Sequence, residues 1–263
     1  WGMESFMIVS HNNQKKIAVI NDFSGFGRCS IAVSLPIISA MKIQCCPVPT
    51  AILSNHTEFP VYFFDDYTEK MTAYTDKWKE LGLSFDAVAT GFLGSEAQIE
   101  IVMDMIRKLE SEETFVVVDP VMGDHGHAYE TYTPEMCEQM KELVCMADIV
   151  LPNVTECCIL TDTPYKKENW TRRELLNMAM MLRLMGAKSV VITGVREGSY
   201  YTNVVLERGQ MEAKFIRTRS SGGERPGTGD VFSSVVAGAL LNGKSLPEAV
   251  AQAAGFVKEC IKV

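Results

Sequence analysis

The sequence has no apolar run approaching the roughly 18 residues that a membrane-spanning helix needs. It also has no block of Lys or Arg. With 25 Lys and Arg against 33 Asp and Glu, the formal net charge is −8, which argues against a surface built to coat nucleic acid. None of the eight cysteines forms a C-x-x-C pair, and Cys45-Cys46 and Cys157-Cys158 are vicinal, a poor geometry for ordinary disulfides. Buried thiols in a reducing cytoplasm are the expectation. Residues 1–16 are polar and irregular, without an apolar leader core, and are expected to form a tail or added remnant outside the fold. There is no repeat, low-complexity tract or linker, so residues 17–263 are expected to be a single domain. The final Ile261-Lys262-Val263 carries no cap signal, and the natural chain is expected to continue.

What is present is a rhythm of short apolar strands and amphipathic helices. Strands are predicted over residues 16–21, 44–50, 85–90, 114–118, 148–151 and 189–193. Helices are predicted over 29–41 (with Pro36 inside), 67–81, 95–109 with Ser95 as N-cap, and 133–146 with Thr133 as cap and Pro134 at its first position. A further helix over 171–185 ends at Gly186, and two more cover 230–242 and 246 onward. The strands are nearly continuous in Val and Ile, the mark of a parallel sheet covered on both faces. Residues 200–206 and 211–218 break the rhythm and read as an antiparallel hairpin at one sheet edge. The expected fold is therefore an α/β, three-layer α/β/α sandwich, mostly parallel with an antiparallel edge hairpin.

The chemistry is carried by Gly227-Thr228-Gly229-Asp230, placed directly before an apolar helix. Two glycines let the backbone turn and expose N–H groups, and the helix start adds unpaired donors and a positive dipole end. That combination suits a migrating phosphoryl group, and Asp230 can accept the proton of an attacking hydroxyl. A plain Asp N-cap after a glycine turn reads the tetrapeptide equally well. Other strand ends tip the balance: Asn21-Asp22 after the first strand, residues 119–124 (DPVMGD), and residues 152–156 (PNVTE). In a doubly wound sheet these ends share one edge. Asp119, Asp124, Asn153 and Glu156 are expected to gather there into an oxygen-rich patch suited to Mg²⁺.

In this order, with Ser54-Asn55-His56-Thr57, these residues resemble the pyridoxal kinase branch of the ribokinase superfamily across nearly the whole folded chain. The resemblance implies ATP-dependent phosphorylation of the 5′-hydroxymethyl group of pyridoxal, pyridoxine or pyridoxamine. It implies Asp230 as base and Gly227, Thr228 and Gly229 as anion hole. Asp119, Tyr132, Asn153, Glu156 and Thr193 fall on the nucleotide side, with Asp119, Asp124 and Glu156 toward the metal. Thr57, Phe92, Asn21 and Asp22 fall on the acceptor side, Phe92 where an aromatic covers the vitamin ring. His56 reads equally well as structural. Mg²⁺ and ATP are the implied cofactors, a monovalent cation is a further candidate, and a homodimer is the implied assembly, with no nucleic-acid or membrane partner. Two departures stand out: Asn21-Asp22 where many members have a serine, and Glu58-Phe59-Pro60 after Thr57. Residues 220–223 (SSGG) read as a flexible cover over ATP.

Hydroxymethylpyrimidine kinase, of the same superfamily, is the nearest rival; Ser54-Asn55-His56-Thr57 and Phe92 favour the B6 reading. A sugar or nucleoside kinase would carry an extra β lid for which no segment is obvious. A dinucleotide-binding oxidoreductase is disfavoured because Gly25 and Gly27 lack the third glycine of G-x-G-x-x-G, position 30 being serine. A non-catalytic B6-binding protein would have no use for Asp230.

Overall fold

The computed structural model describes residues 13–109, 113–223 and 225–262. Most of the expected N-terminal tail, Glu224 and Val263 lie outside the described residues. The first strand, β1 (Lys16–Phe26), starts where its main chain is caught, Lys16 N–H donating to Asp86 Oδ2 at 2.8 Å. In β1 the side chains alternate between two cores: Ile17 and Val19 face one, Ala18 and Ile20 the other. Residues apolar on both faces can only sit inside a covered sheet, which is why this segment occupies its middle.

From β1 the chain passes through α1 (Ser30–Ala40) to β2 (Gln44–Asn55), a parallel neighbour, and β3 (Phe64–Asp66) adds antiparallel at that edge. It then returns through α2 (Thr68–Glu80) to β4 (Ala87–Thr90) on the other side of β1. Next come α3 (Glu96–Leu109), β5 (Phe115–Val118), a small β6 (Gly123–Asp124) and β7 (His127–Ala128) hairpin, α4 (Pro134–Cys145) and β8 (Ile149–Val150). The chain continues through α5 (Val154–Leu160), α6 (Arg172–Met185), β9 (Ser189–Glu197), β10 (Tyr200–Leu206) and β11 (Lys214–Arg219). It closes with α7 (Thr228–Leu241) and α8 (Leu246–Cys260). The nine-stranded order is β11-β10-β9-β8-β5-β4-β1-β2-β3, and the strands from β9 to β2 run parallel. Helices α1, α7 and α8 cover one face and α2 to α6 the other, so the three-layer sandwich expected from the sequence is the fold observed.

The helix starts follow their caps. Thr133 accepts from Met136 N–H with Pro134 at the first position, and Thr171 and Ser245 each form a reciprocal capping box with a glutamate three residues on. Several extents differ from expectation. β1 does not stop at Asn21; after a register shift between Asn21 and Phe23 it continues to Phe26, paired with an equally extended β2. The pairing supplies main-chain partners that outweigh the glycine at 25. The residues expected as loop at 54 and 55 belong to that extension. Antiparallel strands lie at both sheet edges rather than one; the three-residue, acidic β3 is too short to show a pattern in the sequence.

Between β1–β2 on one side and β1–β4 on the other, the chain reverses its direction of winding. This switch point opens a crevice at the carboxyl ends of β1 and β4. Its walls depend on packing elsewhere. Leu182, fully buried on α6, anchors that helix against β9 and β10. Leu182→Ala is expected to lower unfolding free energy by about 2–5 kcal/mol, measured by urea denaturation.

Candidate active site

Asp230 is the third residue of α7, which has Gly227 as its N-cap and points its N-terminus into the switch-point crevice. The side chain is half-buried and held at both oxygens: Asn21 Nδ2 donates to Oδ1 at 2.9 Å, and the Ser30 main-chain N–H donates to Oδ2 at 2.8 Å. Burial pushes the carboxyl above its ordinary range, while the bonds from Ser30 and Asn21 oppose that rise. The group is thus a stronger base than a free aspartate and has a fixed orientation.

Gly227 adopts the left-handed conformation, φ 78°, and a Cβ there would lie 1.8 Å from the Arg28 carbonyl oxygen. Only glycine satisfies both conditions. The tight turn brings the main chain at residues 227–229 onto the loop between β1 and α1. Gly229 is exposed and its Cβ position meets nothing within 4 Å, leaving open space beside these main-chain N–H groups. The Thr228 hydroxyl turns back to the Arg225 carbonyl at 3.1 Å.

On the acceptor side, Asn21 is buried and uses its amide fully. Its Oδ1 accepts from Phe92 N–H and from Asp22 N–H, each at 2.9 Å, while its Nδ2 reaches Asp230. The same amide explains Gly91, where a Cβ would meet Asn21 at 2.4 Å. Phe92 is therefore tied to the base through one side chain, and its carbonyl accepts from Thr50 Oγ1 at 3.0 Å. Asp22, expected beside Asn21 as an acceptor contact, is 7% exposed and accepts from Ser24 Oγ at 3.1 Å and Ser30 Oγ at 2.5 Å. Thr57 stands exposed in the loop after β2 and makes no hydrogen bond to these residues among those described. His56 packs its ring 4.6 Å from that of Phe59 and against Gly27, with Nδ1 buried and unpartnered among the described residues.

On the nucleotide side, Asn153 caps α5 in a capping box with Glu156, donates to the Gly123 carbonyl at 2.9 Å, and pairs through the main chain with Thr193. Glu156 is 3% exposed; Met122 N–H and Asn153 N–H donate to its two oxygens at 3.2 and 2.8 Å. Asp119 follows β5, with its N–H bonded to the Thr90 carbonyl. Burial raises the Asp119 carboxyl, and the charge of Asp230 adds to that; burial and the Asp119 charge raise Glu156. Tyr132 is buried near Glu156, with its hydroxyl unpartnered among the described residues.

Two buried acids, both raised by burial, are a donor set a divalent cation would relieve, and Mg²⁺ needs only one or two carboxylates besides phosphate and water. The residues present fit that ion. From the sequence, three acids are expected there, Asp119, Asp124 and Glu156. Among the described residues no group of three His, Cys, Asp or Glu side chains is placed to hold a metal. The β6–β7 hairpin carries Asp124 outward, where it accepts from His125 N–H at 2.7 Å.

The residue missed by sequence reasoning is Ser30. It stands where a dinucleotide fingerprint would carry its third glycine, and it adopts φ 55°, a conformation glycine favours. The position was legible as special; its partner, 200 residues away, was not.

The phosphomethylpyrimidine kinase family matches residues 31–263. A hydroxymethylpyrimidine/phosphomethylpyrimidine kinase of Aquifex aeolicus is 26% identical over 250 residues, covering 94% of this chain and 88% of that protein. A pyridoxine kinase of Bacillus subtilis is 30% identical over 214 residues, covering 79% and 73%. A Bacteroides thetaiotaomicron protein provisionally assigned to the phosphomethylpyrimidine kinases, crystallised with pyridoxal, superimposes with a TM-score of 0.88 at 40% identity, covering 92% and 86%. The glycine turn, its aspartate and the switch-point crevice thus belong to a ribokinase-like small-molecule kinase, and the protein is an enzyme of that class. Within it, the chain belongs to the phosphomethylpyrimidine kinase family.

Gly227→Ala is expected to lower turnover by about a hundredfold or more, measured by steady-state kinetics on protein whose fold is checked by circular dichroism. A second expectation concerns charge. The folded-state pKa of Asp119 is raised above its ordinary 3.8 to about 8, so its cost to stability is absent below 3.8, grows as pH rises between the two values and levels off above the folded-state one. Asp119→Asn is therefore expected to raise the melting temperature of metal-free protein at neutral pH. The difference from wild type should vanish below about pH 4, measured by thermal denaturation across pH.

Proposed function

We propose that the protein transfers the γ-phosphoryl group of Mg-ATP to the 5′-hydroxymethyl group of pyridoxal, pyridoxine or pyridoxamine. The observation that carries the reading is the Asp230 carboxylate, held at both oxygens at the start of α7 beside the glycine turn. Asp230 takes the proton of the acceptor hydroxyl as its oxygen attacks the γ-phosphorus and the bond to the ADP oxygen breaks. The main-chain N–H groups of residues 227–229 receive the charge on the transferring group. Asp119 and Glu156 would hold Mg²⁺, which would supply charge neutralisation at the phosphates. Asn153, Thr193 and Tyr132 line the nucleotide side, and Phe92 covers the pyridine ring with Asn21 and Thr57 nearby.

The acceptor assignment is supported by Ser54-Asn55-His56-Thr57, by Phe92, and by the 40%-identical relative crystallised with pyridoxal. A pyrimidine acceptor has its own support in the family matched and in the Aquifex aeolicus relative. A homodimer suits the exposed apolar side chains of Phe23, Phe26, Ile52, Val61, Phe63 and Phe64 around the β1–β2–β3 edge. Eight free thiols suit a cytoplasmic setting; no helix among the described residues is long and apolar enough to cross a membrane.

The deciding experiment is a kinase assay of wild type and Asp230→Asn with Mg-ATP, each B6 vitamer and hydroxymethylpyrimidine in parallel. Wild type is expected to phosphorylate at least one vitamer, and Asp230→Asn to lose turnover by about a hundredfold or more while still binding ATP. Phosphorylation of the pyrimidine alone would overturn the acceptor assignment, and near-normal turnover by the variant would overturn the role of Asp230.

A further inference from the structure

Asp22 lies beneath the site, 7% exposed, and both its carboxylate oxygens are occupied by hydroxyls from its own neighbourhood. One of those hydroxyls belongs to Ser30, the first residue of α1. Ser30 is joined to Asp230 by its main chain and to Asp22 by its side chain, and the two bonds leave it in different directions along the network: N–H to Asp230 Oδ2 at 2.8 Å, Oγ to Asp22 Oδ1 at 2.5 Å.

The conformation of Ser30 makes the second bond consequential. Its φ of 55° is one that non-glycine residues adopt at a cost of about 1–2 kcal/mol. A serine released from its side-chain tie would relax toward the right-handed or extended regions, and its N–H would rotate away from the carboxylate. Cys29, the cap residue of α1, makes no side-chain bond to the main-chain N–H groups of the helix start; its thiol meets the hydroxyls of Ser30 and Ser24 instead. The hydroxyl of Ser30 is thus the side-chain tie fixing this first turn from the β1 side.

The remaining contacts between the helices hold the main chain of Asp230 rather than its carboxylate. Ser234 Oγ lies 2.6 Å from the Asp230 carbonyl oxygen and 3.0 Å from Ser34 Oγ, which donates to the Ser30 carbonyl. These serines zip α7 to α1 independently of Asp22. They leave the aim of the Asp230 carboxylate to Asn21 and to the Ser30 N–H.

We propose that Asp22 is a positioning residue for phosphoryl transfer, which holds Ser30 in its left-handed conformation so that the Ser30 N–H orients the carboxylate of Asp230. The proposal rests on the reading of Asp230 as the base. It replaces the expectation that Asp22 contacts the acceptor.

The test compares Asp22→Ala, Ser30→Ala, Ser30→Gly, the double variant Asp22→Ala/Ser30→Ala and Asp230→Asn in full-length protein. Each is assayed for kcat and for KM toward ATP and the best acceptor, with folding followed by thermal denaturation. Ser30→Ala and Asp22→Ala are each expected to lower kcat about tenfold with both KM values within about twofold. The double variant is expected to be no slower than the slower single, because the two side chains act through one bond. Ser30→Gly lacks the same hydroxyl but reaches positive φ freely, so it is expected to stay within about threefold of wild-type kcat. A role limited to satisfying buried hydroxyls would leave kcat untouched and would not separate the alanine from the glycine at position 30. Wild-type kcat in folded Ser30→Ala overturns the proposal. So does a raised acceptor KM at unchanged kcat in Asp22→Ala, which would make Asp22 an acceptor contact. If Asp22→Ala does not fold, the two Ser30 variants decide the matter alone. Near-normal turnover by Asp230→Asn would instead remove the base on which the proposal stands, whatever the Asp22 and Ser30 variants do.

Discussion

The two hydrogen bonds that grip the Asp230 carboxylate tie together chain segments 200 and 209 residues apart. Every other feature of the site is arranged around that grip. The end of β1 supplies Asn21, the start of α1 supplies Ser30, and the loop after β4 is pinned to the same amide through Phe92. A carboxylate at the N-terminal turns of two helices is favoured by both dipoles. Burial works in the other direction and keeps the group basic. The balance gives a carboxyl whose affinity for a proton is raised while its orientation is fixed.

The electrostatics of the nucleotide side follow a different logic. Asp119 and Glu156 have little to neutralise them within the protein; their partners are main-chain N–H groups and a hydroxyl, not cations. Burial raises both carboxyls, the charge of Asp230 adds to the rise at Asp119, and the charge of Asp119 adds to the rise at Glu156. A folded protein keeps such a pair only at a cost in stability. On the proposed reading a cation arriving with its phosphates would offset that cost, which would couple ligand binding to folding stability at these two residues.

Much of the architecture was legible in the sequence because it is written in local patterns. Continuous Val and Ile marked the buried strands, and Thr133, Thr171 and Gly186 marked helix ends by their chemistry. The glycine turn and Asp230 were legible for the same reason. What escaped was non-local or very short. The extension of β1 past Gly25 depends on a partner strand thirty residues on, and β3 is only three residues long. Asn153 and Glu156 were read as strand-end polar groups, but they begin the helix α5 with a reciprocal cap. Asp22 looked like a site residue because it followed Asn21. Only the hydroxyl of Ser30, eight residues later, shows what its carboxylate faces.

The position of α7 and α8 after all the strands has a bearing on how the chain is made. Ile17, Val19, Val117, Val191 and Val205 lie on the sheet face that these two helices cover together with α1. A ribosome delivers every strand of the sheet before it delivers α7 and α8, leaving only α1 to cover this face meanwhile. Through that interval the emerging chain carries a broad apolar surface and has no base in its crevice, so it is sticky and inert at once. Attachment of the last two helices ends both conditions in a single event. A nascent chain of this protein is therefore a natural client for chaperones that hold exposed apolar surface until synthesis is finished.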